Sequence, residues 1–99
     1  MVKETFGAYI RRVREENNLP LRIVAAQLEV DTSTLSKVER GERPMSIEYL
    51  RSLSQILEID YKELQVRFLV DSIYANYGVL EYFEDGLHEI MNLLKMNKK

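Results

Sequence analysis

Apolar residues recur at intervals of three and four along most of the chain, the spacing expected for amphipathic helices. This pattern predicts a first helix from about Phe6 to Glu16, with Thr5 as its N-cap. A second helix is predicted from Leu21 to Leu28, because Pro20 suits a helix start, where no helical hydrogen bond is lost. The pattern therefore indicates an all-α chain.

Four further helices are predicted from capping residues and breakers. Asp31 and Ser46 are suitable N-caps for a third and a fourth helix, and Gly41 is a suitable stop between them. Asp60 followed by Glu63 has the spacing of a capping box, which opens a fifth helix. The predicted ranges of the third to sixth helices are 32–40, 47–57, 61–77 and 79–96.

The second and third predicted helices are unusually close, separated only by Glu29, Val30 and Asp31. Small Ala25 allows the two helices to cross closely, and Val30 fills the corner between them. This packing is typical of a helix-turn-helix unit, in which the second helix protrudes and fits the major groove of B-DNA. Its outward side is predicted to carry polar residues, none of them acidic: Thr32, Ser33, Ser36, Lys37 and Arg40.

Composition limits the setting of the protein. Its 99 residues suggest one domain with a small appendage, and they include no cysteine for a disulfide or thiolate site. No apolar run has membrane-spanning length, so we expect a cytoplasmic protein without a membrane partner. The formal charge is −2, but the first 55 residues hold nine Lys and Arg against eight Asp and Glu. Charge alone therefore favours neither DNA nor an ordinary solvated surface.

The stretch LSKVERGERP, residues 35–44, carries a more specific signal together with Arg14, Ala25 and the corner residue Val30. This combination resembles the phage-repressor-like helix-turn-helix domains of the XRE family over roughly residues 6–69. The resemblance implies a five-helix DNA-binding domain, usually dimeric, that regulates transcription. We accordingly expect a helix-turn-helix domain at 1–70 and a C-terminal helical extension at 71–99. The small size of the chain is also similar to that of the controller proteins of restriction–modification systems.

The resemblance implies individual roles for several residues. It places Thr32, Ser33 and Lys37 at base edges and pairs Arg14 with Glu39 in a structural ion pair. A further group is expected to contact phosphates, which fix register without reading sequence: Arg22, Thr34, Ser36, Arg40 and Arg43.

Two positions depart from the family pattern. Leu21 stands where the family commonly has a phosphate-contacting glutamine, and we expect Arg22 to replace that contact. Glu29 stands where the family favours glycine, so the turn must carry some strain or take another shape. Both departures are also compatible with a domain that has lost DNA binding.

The last predicted helix carries a heptad-like apolar seam, with spacings of three and four residues. One interpretation is a dimerisation element, and the other is a helix folded back on its own domain. Dimerisation is favoured because the five preceding helices are enough to form a small core. The seam comprises Leu80, Phe83, Leu87, Ile90 and Leu94.

The residue inventory argues against an enzyme. His88 is the only histidine, and the four glycines are too far apart to form a phosphate-binding loop. We therefore expect no catalytic site, metal or cofactor. The preferred function is a sequence-specific regulator of transcription, a repressor that binds double-stranded DNA at an inverted repeat as a homodimer. The alternative is an antitoxin or protein-interaction module that binds a protein partner through its C-terminal helices.

Overall fold

The computed structural model describes residues 4–98, and within this range the chain is helical without any strand. A short 3-10 turn, Ile47–Tyr49, precedes the fourth α-helix. The all-α fold predicted from the sequence, a five-helix unit followed by a C-terminal helix, is confirmed. The helices are α1 (Phe6–Glu16), α2 (Leu21–Leu28), α3 (Thr32–Glu39), α4 (Leu50–Leu57), α5 (Tyr61–Tyr77) and α6 (Phe83–Asn97).

Two helix starts differ from the sequence prediction. Ser46 was expected to cap the fourth helix, but its side chain makes no capping hydrogen bond, and the 3-10 turn comes first. The sixth helix was expected from about Val79 and begins at Phe83 instead. Residues 79–82 form turns in which the Leu80 amide donates to the Tyr77 carbonyl at 3.0 Å. Leu80 therefore lies in the connection, outside the helical seam to which it was assigned.

Helices α1 to α4 end in the same way, each with one residue in the left-handed region. The two amides that follow each helix reach back to its last carbonyls, the hydrogen bonding of a Schellman motif. In α1, the Leu19 amide donates to the Arg14 carbonyl at 3.0 Å, and Leu19 packs against the core. The left-handed residues and their φ angles are Asn18 (57°), Glu29 (60°), Gly41 (77°) and Glu58 (54°).

The buried core draws on α1 to α4 and the start of α5. Its centre is formed by fully buried aliphatic side chains, among them Ile10, Leu35 and Leu53. Leu64, in the first turns of α5, is the last buried residue within the described range 4–98. The hydrophobic core therefore ends about two-thirds of the way along the chain.

Gly7 allows α1 to pack directly on the end of α3. A Cβ atom at this position would lie 2.7 Å from the Glu39 carbonyl oxygen and closer still to the carbonyl oxygen of Val38. Real Cβ atoms do not approach backbone oxygens so closely, so a side chain here would push the two helices apart. Glycine at residue 7 thus sets the distance between α1 and α3.

Tyr9 joins α1 to α5. Its hydroxyl donates to Glu63 Oε2 at 2.7 Å, and the Arg67 guanidinium lies 4.1 Å from the centre of its ring. Burial, followed by the hydrogen bond to Glu63, raises the pKa of Tyr9 to about 12. Nearby, the rings of Phe6 and Phe68 meet edge to face, with centroids 5.3 Å apart.

Helix α6 stands largely outside this arrangement. None of its residues, 83–97, is buried, and its ring contact with α5 joins Phe83 to Tyr74 at 6.4 Å between centroids. The radius of gyration is 15.4 Å, against about 13 Å for a compact domain of this length. Of the helices described, none is both long and apolar enough to span a membrane.

Candidate nucleic-acid interface

The turn between α2 and α3 takes the tight shape that a helix-turn-helix requires. Glu29 adopts φ 60° and ψ 40°, while the Glu29 and Val30 amides donate to the carbonyls of Ala26 and Ala25 at 3.1 and 3.0 Å. Val30 packs against the core from this corner. The strain expected from a glutamate at this turn is present, because left-handed geometry costs a non-glycine residue about 1–2 kcal/mol. Ala25 is buried beside the turn, as the close crossing of the helices requires.

Helix α3 has one buried and one exposed face. Leu35, Val38 and the carboxylate-bearing Glu39 are buried against the domain. The residues expected at base edges, Thr32, Ser33 and Lys37, are all exposed. Four other side chains were assigned to phosphates in this neighbourhood: Arg40 and Arg43 are exposed, and Thr34 and Ser36 are half-buried. The structure thus brings the base-edge candidates together on one accessible surface, which we call the α3 outer face (Thr32, Ser33, Lys37 and Arg40).

A buried ion pair fixes α3 to α1. Arg14 Nε and Nη2 donate to the two carboxylate oxygens of Glu39 at 2.8 and 3.0 Å. Arg14 Nη1 donates to the Leu19 carbonyl at 2.8 Å, so the guanidinium also holds the end of α1. The hydrogen bonds to Glu39 raise the pKa of Arg14. The ion pair expected between these two residues is therefore present, with a structural position behind the α3 outer face.

Exposed cations lie on α2, on α3 and shortly after α3. Within residues 4–98, no ion pair involves Arg22, Lys37 or Arg43, and all three are exposed. Arg40 differs, because its Nε lies 3.5 Å from Glu42 Oε2. Exposed pairs of this kind are worth little, about 0–1 kcal/mol, so a phosphate could displace Glu42.

The starts of α2 and α3 leave backbone donors without side-chain partners. Pro20 has no capping side chain, and Asp31, expected to cap α3, makes no capping hydrogen bond. The first amides of a helix have no acceptor inside the helix and can bind an anion. Leu21 is half-buried and packs against the core, so its side chain supports α2.

Two positioning residues were not predicted from the sequence. Gly7 lies beneath the end of α3, and its only sequence signal is a glycine inside a helix, where alanine is favoured by about 1 kcal/mol. Asn17 Nδ2 donates to the Leu57 carbonyl at 3.0 Å and thereby joins the ends of α1 and α4. Nothing in the sequence around Asn17 indicates that long-range contact.

The described part of the chain offers no cluster of three or more His, Asp or Glu side chains that could hold a metal ion. Among its titratable groups, Tyr9 and Arg14 have shifted pKa values in contacts between helices. Beside Tyr9 and Arg14, the Arg12 guanidinium lowers the pKa of Glu4 through a hydrogen bond. Of these groups, Arg14 holds α3 through its hydrogen bonds to Glu39.

Comparison with known proteins places this geometry in a family. Residues 5–65 match the family model described as a helix-turn-helix domain. The chain belongs to that family. The matched segment ends next to Leu64, the last buried residue of the described range, so the helix-turn-helix domain and the hydrophobic core occupy the same part of the chain.

Two solved structures are similar to this fold. A crystal structure of the clp gene regulator ClgR from Corynebacterium glutamicum is 29% identical over 67% of this chain and 86% of its own, with a TM-score of 0.57. A second structure of that regulator covers 91% of this chain and 89% of its own, with 24% identity and a TM-score of 0.59, which bears on the fold alone. A search of curated proteins finds no match to the chain.

Proposed function

We propose that this chain is a transcriptional regulator of the XRE type that binds double-stranded DNA in a sequence-specific manner. The observation that carries the proposal is the two-sided α3, with Leu35, Val38 and Glu39 buried and an outer face of polar and basic residues. Membership of the helix-turn-helix family and similarity to the clp gene regulator ClgR support the same function.

In this proposal, α3 lies in the major groove with its N-terminal end at the base edges. Lys37 donates to guanine O6 and N7, while the methyl and hydroxyl groups of Thr32 contact thymine and polar base atoms. Ser33 is small enough to act as either donor or acceptor. The buried pair of Arg14 and Glu39 holds the helix in place, so the outer face approaches DNA as a rigid surface.

Phosphate contacts flank this reading surface. Arg22 on α2 and Arg43 after α3 are exposed cations on either side of the turn. The uncapped starts of α2 and α3 supply backbone N–H groups for the same purpose. Arg40, Thr34 and Ser36 are proposed as further phosphate contacts, with Arg40 exchanging Glu42 for phosphate.

The proposed active species is a homodimer on an inverted repeat, acting as a repressor in the cytoplasm without a cofactor or catalytic activity. A small dimer on an operator blocks polymerase without additional parts. The dimer contact is proposed on the helical extension at 71–99, through the α6 seam, defined as Phe83, Leu87, Ile90 and Leu94. Ile90 and Leu94 are 51% and 55% exposed, which leaves them available to a second chain.

The same exposed surface supports a second candidate function. Val79, Tyr82 and Met96 are also exposed, so the C-terminal part of the chain displays more apolar surface than an isolated monomer needs. An antitoxin or protein-interaction module would use this surface for a different protein. Such a protein would show a one-to-one complex with its partner in place of a homodimer.

Two single substitutions test the proposed DNA surface. Lys37→Ala should cost about 1–3 kcal/mol on the best duplex and relax base preference at one position. Arg43→Ala should weaken all duplexes alike and reduce the salt slope by about one unit. Lys62→Ala, which removes an exposed cation from α5, is the matched control and should leave binding unchanged. If Lys37→Ala and Arg43→Ala also leave duplex binding unchanged, DNA is not bound through α3.

A further inference from the structure

Helix α6 carries an apolar seam that the described part of its own chain covers only in part. No residue of 83–97 is buried, and the members of the seam range from half-buried (Phe83 and Leu87) to more than half exposed (Ile90 and Leu94). Met91 and Leu93, on the flanks of the seam, are exposed as well. A fifteen-residue helix with so little tertiary packing needs a partner surface, because isolated helices of about this length are marginal in water.

The charges of α6 are separated along its length. Glu84 and Asp85 lie in its first turn, and Glu89 follows one turn later. Its last turn contains Lys95, and Lys98 caps the helix. One end of α6 is therefore acidic and the other basic, with the apolar seam running between them.

From this polarity we infer that α6 pairs with the α6 of a second copy in antiparallel orientation. This inference rests on the homodimer proposed above and specifies its geometry. Antiparallel pairing places the acidic start of each helix at the same end of the pair as Lys95 and Lys98 of its partner. Parallel pairing would place the two acidic ends together and the two basic ends together, and the like charges at each end would repel.

The seam fits the antiparallel arrangement without a gap. With the two-fold axis between residues 88 and 89, Phe83 of each copy lies opposite Leu94 of the other, and Leu87 lies opposite Ile90. All four seam residues then form layers, each a pair of different side chains, as in antiparallel heptad packing. The helix dipoles also oppose one another favourably in this orientation. The contact is isologous, so the dimer closes and leaves no second seam exposed.

The absence of cysteine from the sequence makes a distance measurement direct. Single variants His88→Cys and Asn97→Cys, both at exposed positions outside the seam layers, accept a nitroxide spin label without disturbing folding. In an antiparallel pair the two copies of residue 88 lie almost opposite, whereas the two copies of residue 97 are about 25 Å apart along the axis at 1.5 Å per residue. The measured distance between the two nitroxide labels should therefore be at least about 5 Å longer for Asn97→Cys than for His88→Cys.

Each other result contradicts the inference in a distinguishable way. Equal distances at the two positions indicate a parallel pair, which overturns the orientation and leaves the dimer intact. If light scattering shows a dimer while neither variant gives a short or intermediate distance between the two labels, the contact lies on another helix, and α5 is the next candidate. A monomer at the labelling concentration overturns both the pairing and the proposed homodimer, while DNA binding by α3 is measured independently. A complex with a different protein partner would likewise show no α6 to α6 distance.

Discussion

Helices α3 and α6 are both amphipathic, yet they present opposite faces to solvent. Helix α3 buries Leu35 and Val38 in its own domain and exposes a polar surface. Helix α6 is nearly twice as long, buries no residue, and exposes most of its apolar residues. The surface that each helix leaves open therefore suits a different partner: polar and basic chemistry for DNA, and an apolar seam for a second protein chain.

The difference arises from what surrounds each helix. Helix α3 is held by Gly7, by the Arg14–Glu39 pair and by core residues from neighbouring helices. Helix α6 follows a turn at residues 79–82, and its Phe83 ring meets Tyr74 of α5. A helix fixed on one side can act as a rigid reading surface, whereas the order of α6 is proposed to come from association with a second chain.

The largest effect is expected on the support of α3. Glu39→Ala leaves the Arg14 guanidinium, 11% exposed, without its carboxylate, and breaking such a pair costs about 3–5 kcal/mol. Urea denaturation followed by circular dichroism measures the loss. The control is Glu15→Ala, since Glu15 pairs with Arg11 at the surface with both side chains more than half exposed, and should cost less than about 1 kcal/mol. Equal losses in the two variants would contradict a supporting role for the buried pair.

Alkaline pH tests the contact through which Tyr9 joins α1 to α5. The pKa of Tyr9 is raised to about 12 from 10.0, so folding favours its neutral phenol. That preference contributes about 2–3 kcal/mol in full below pH 10, and the contribution is lost as pH rises from about 10 to 12. Tyr9→Phe, which lacks the ionising group, should show a smaller loss of stability over this window. If stability falls equally with pH in both proteins, the pKa of Tyr9 is not raised.

One glycine beneath α3 and one within α6 allow the packing of the two helices to be compared. Gly7→Ala should destabilise the chain by about 1–3 kcal/mol, because its methyl group meets backbone oxygens at the end of α3. Gly86→Ala in α6 meets nothing within 4 Å in the described structure, and alanine favours a helix by about 1 kcal/mol. Thermal melts should therefore move in opposite directions. Destabilisation by Gly86→Ala of a monomeric sample would show that α6 packs against its own chain.

The smallest effect on folding is expected in the α6 seam. Glu substitutions at Leu87 and Ile90 remove the proposed dimer contact but touch no buried residue, so the monomer should keep its stability within about 0.5 kcal/mol. Light scattering should show half the mass of the unmodified protein. A dimer that persists would move the interface to α5, and loss of folding would support a helix docked on its own domain.

The elements of the helix-turn-helix domain were predictable because their signals are local. The predicted bounds of α1 and α2 coincide with the structure, and Thr5 accepts from the Ala8 amide at 3.1 Å as an N-cap should. Asp60 accepts from the Glu63 amide at 3.2 Å, as the capping box predicts. These features depend on side chains and amides within four residues of each other.

Apart from the Arg14–Glu39 pair, which the family resemblance implies, features that depend on distant contacts were missed. The side chain of Glu63, which a capping box would direct to Asp60, instead accepts from Tyr9, 54 residues earlier in sequence. The contact of Gly7 with the end of α3 and that of Asn17 with Leu57 are long-range in the same way. The start of α6 was placed too early because Val79 and Leu80 continue the apolar spacing of the helix but lie in turns. The contacts of the exposed α3 residues with bases and phosphates remain predictions.

The central claim, that the α3 outer face reads DNA sequence, is tested most directly by selecting bound duplexes from a random library at near-physiological salt. The account predicts enrichment of an inverted repeat whose half-sites lie about one helical turn apart. It also predicts that Lys37→Ala changes the preference at one position in each half-site. Binding that is weak, purely salt-dependent and without any enriched sequence would contradict it.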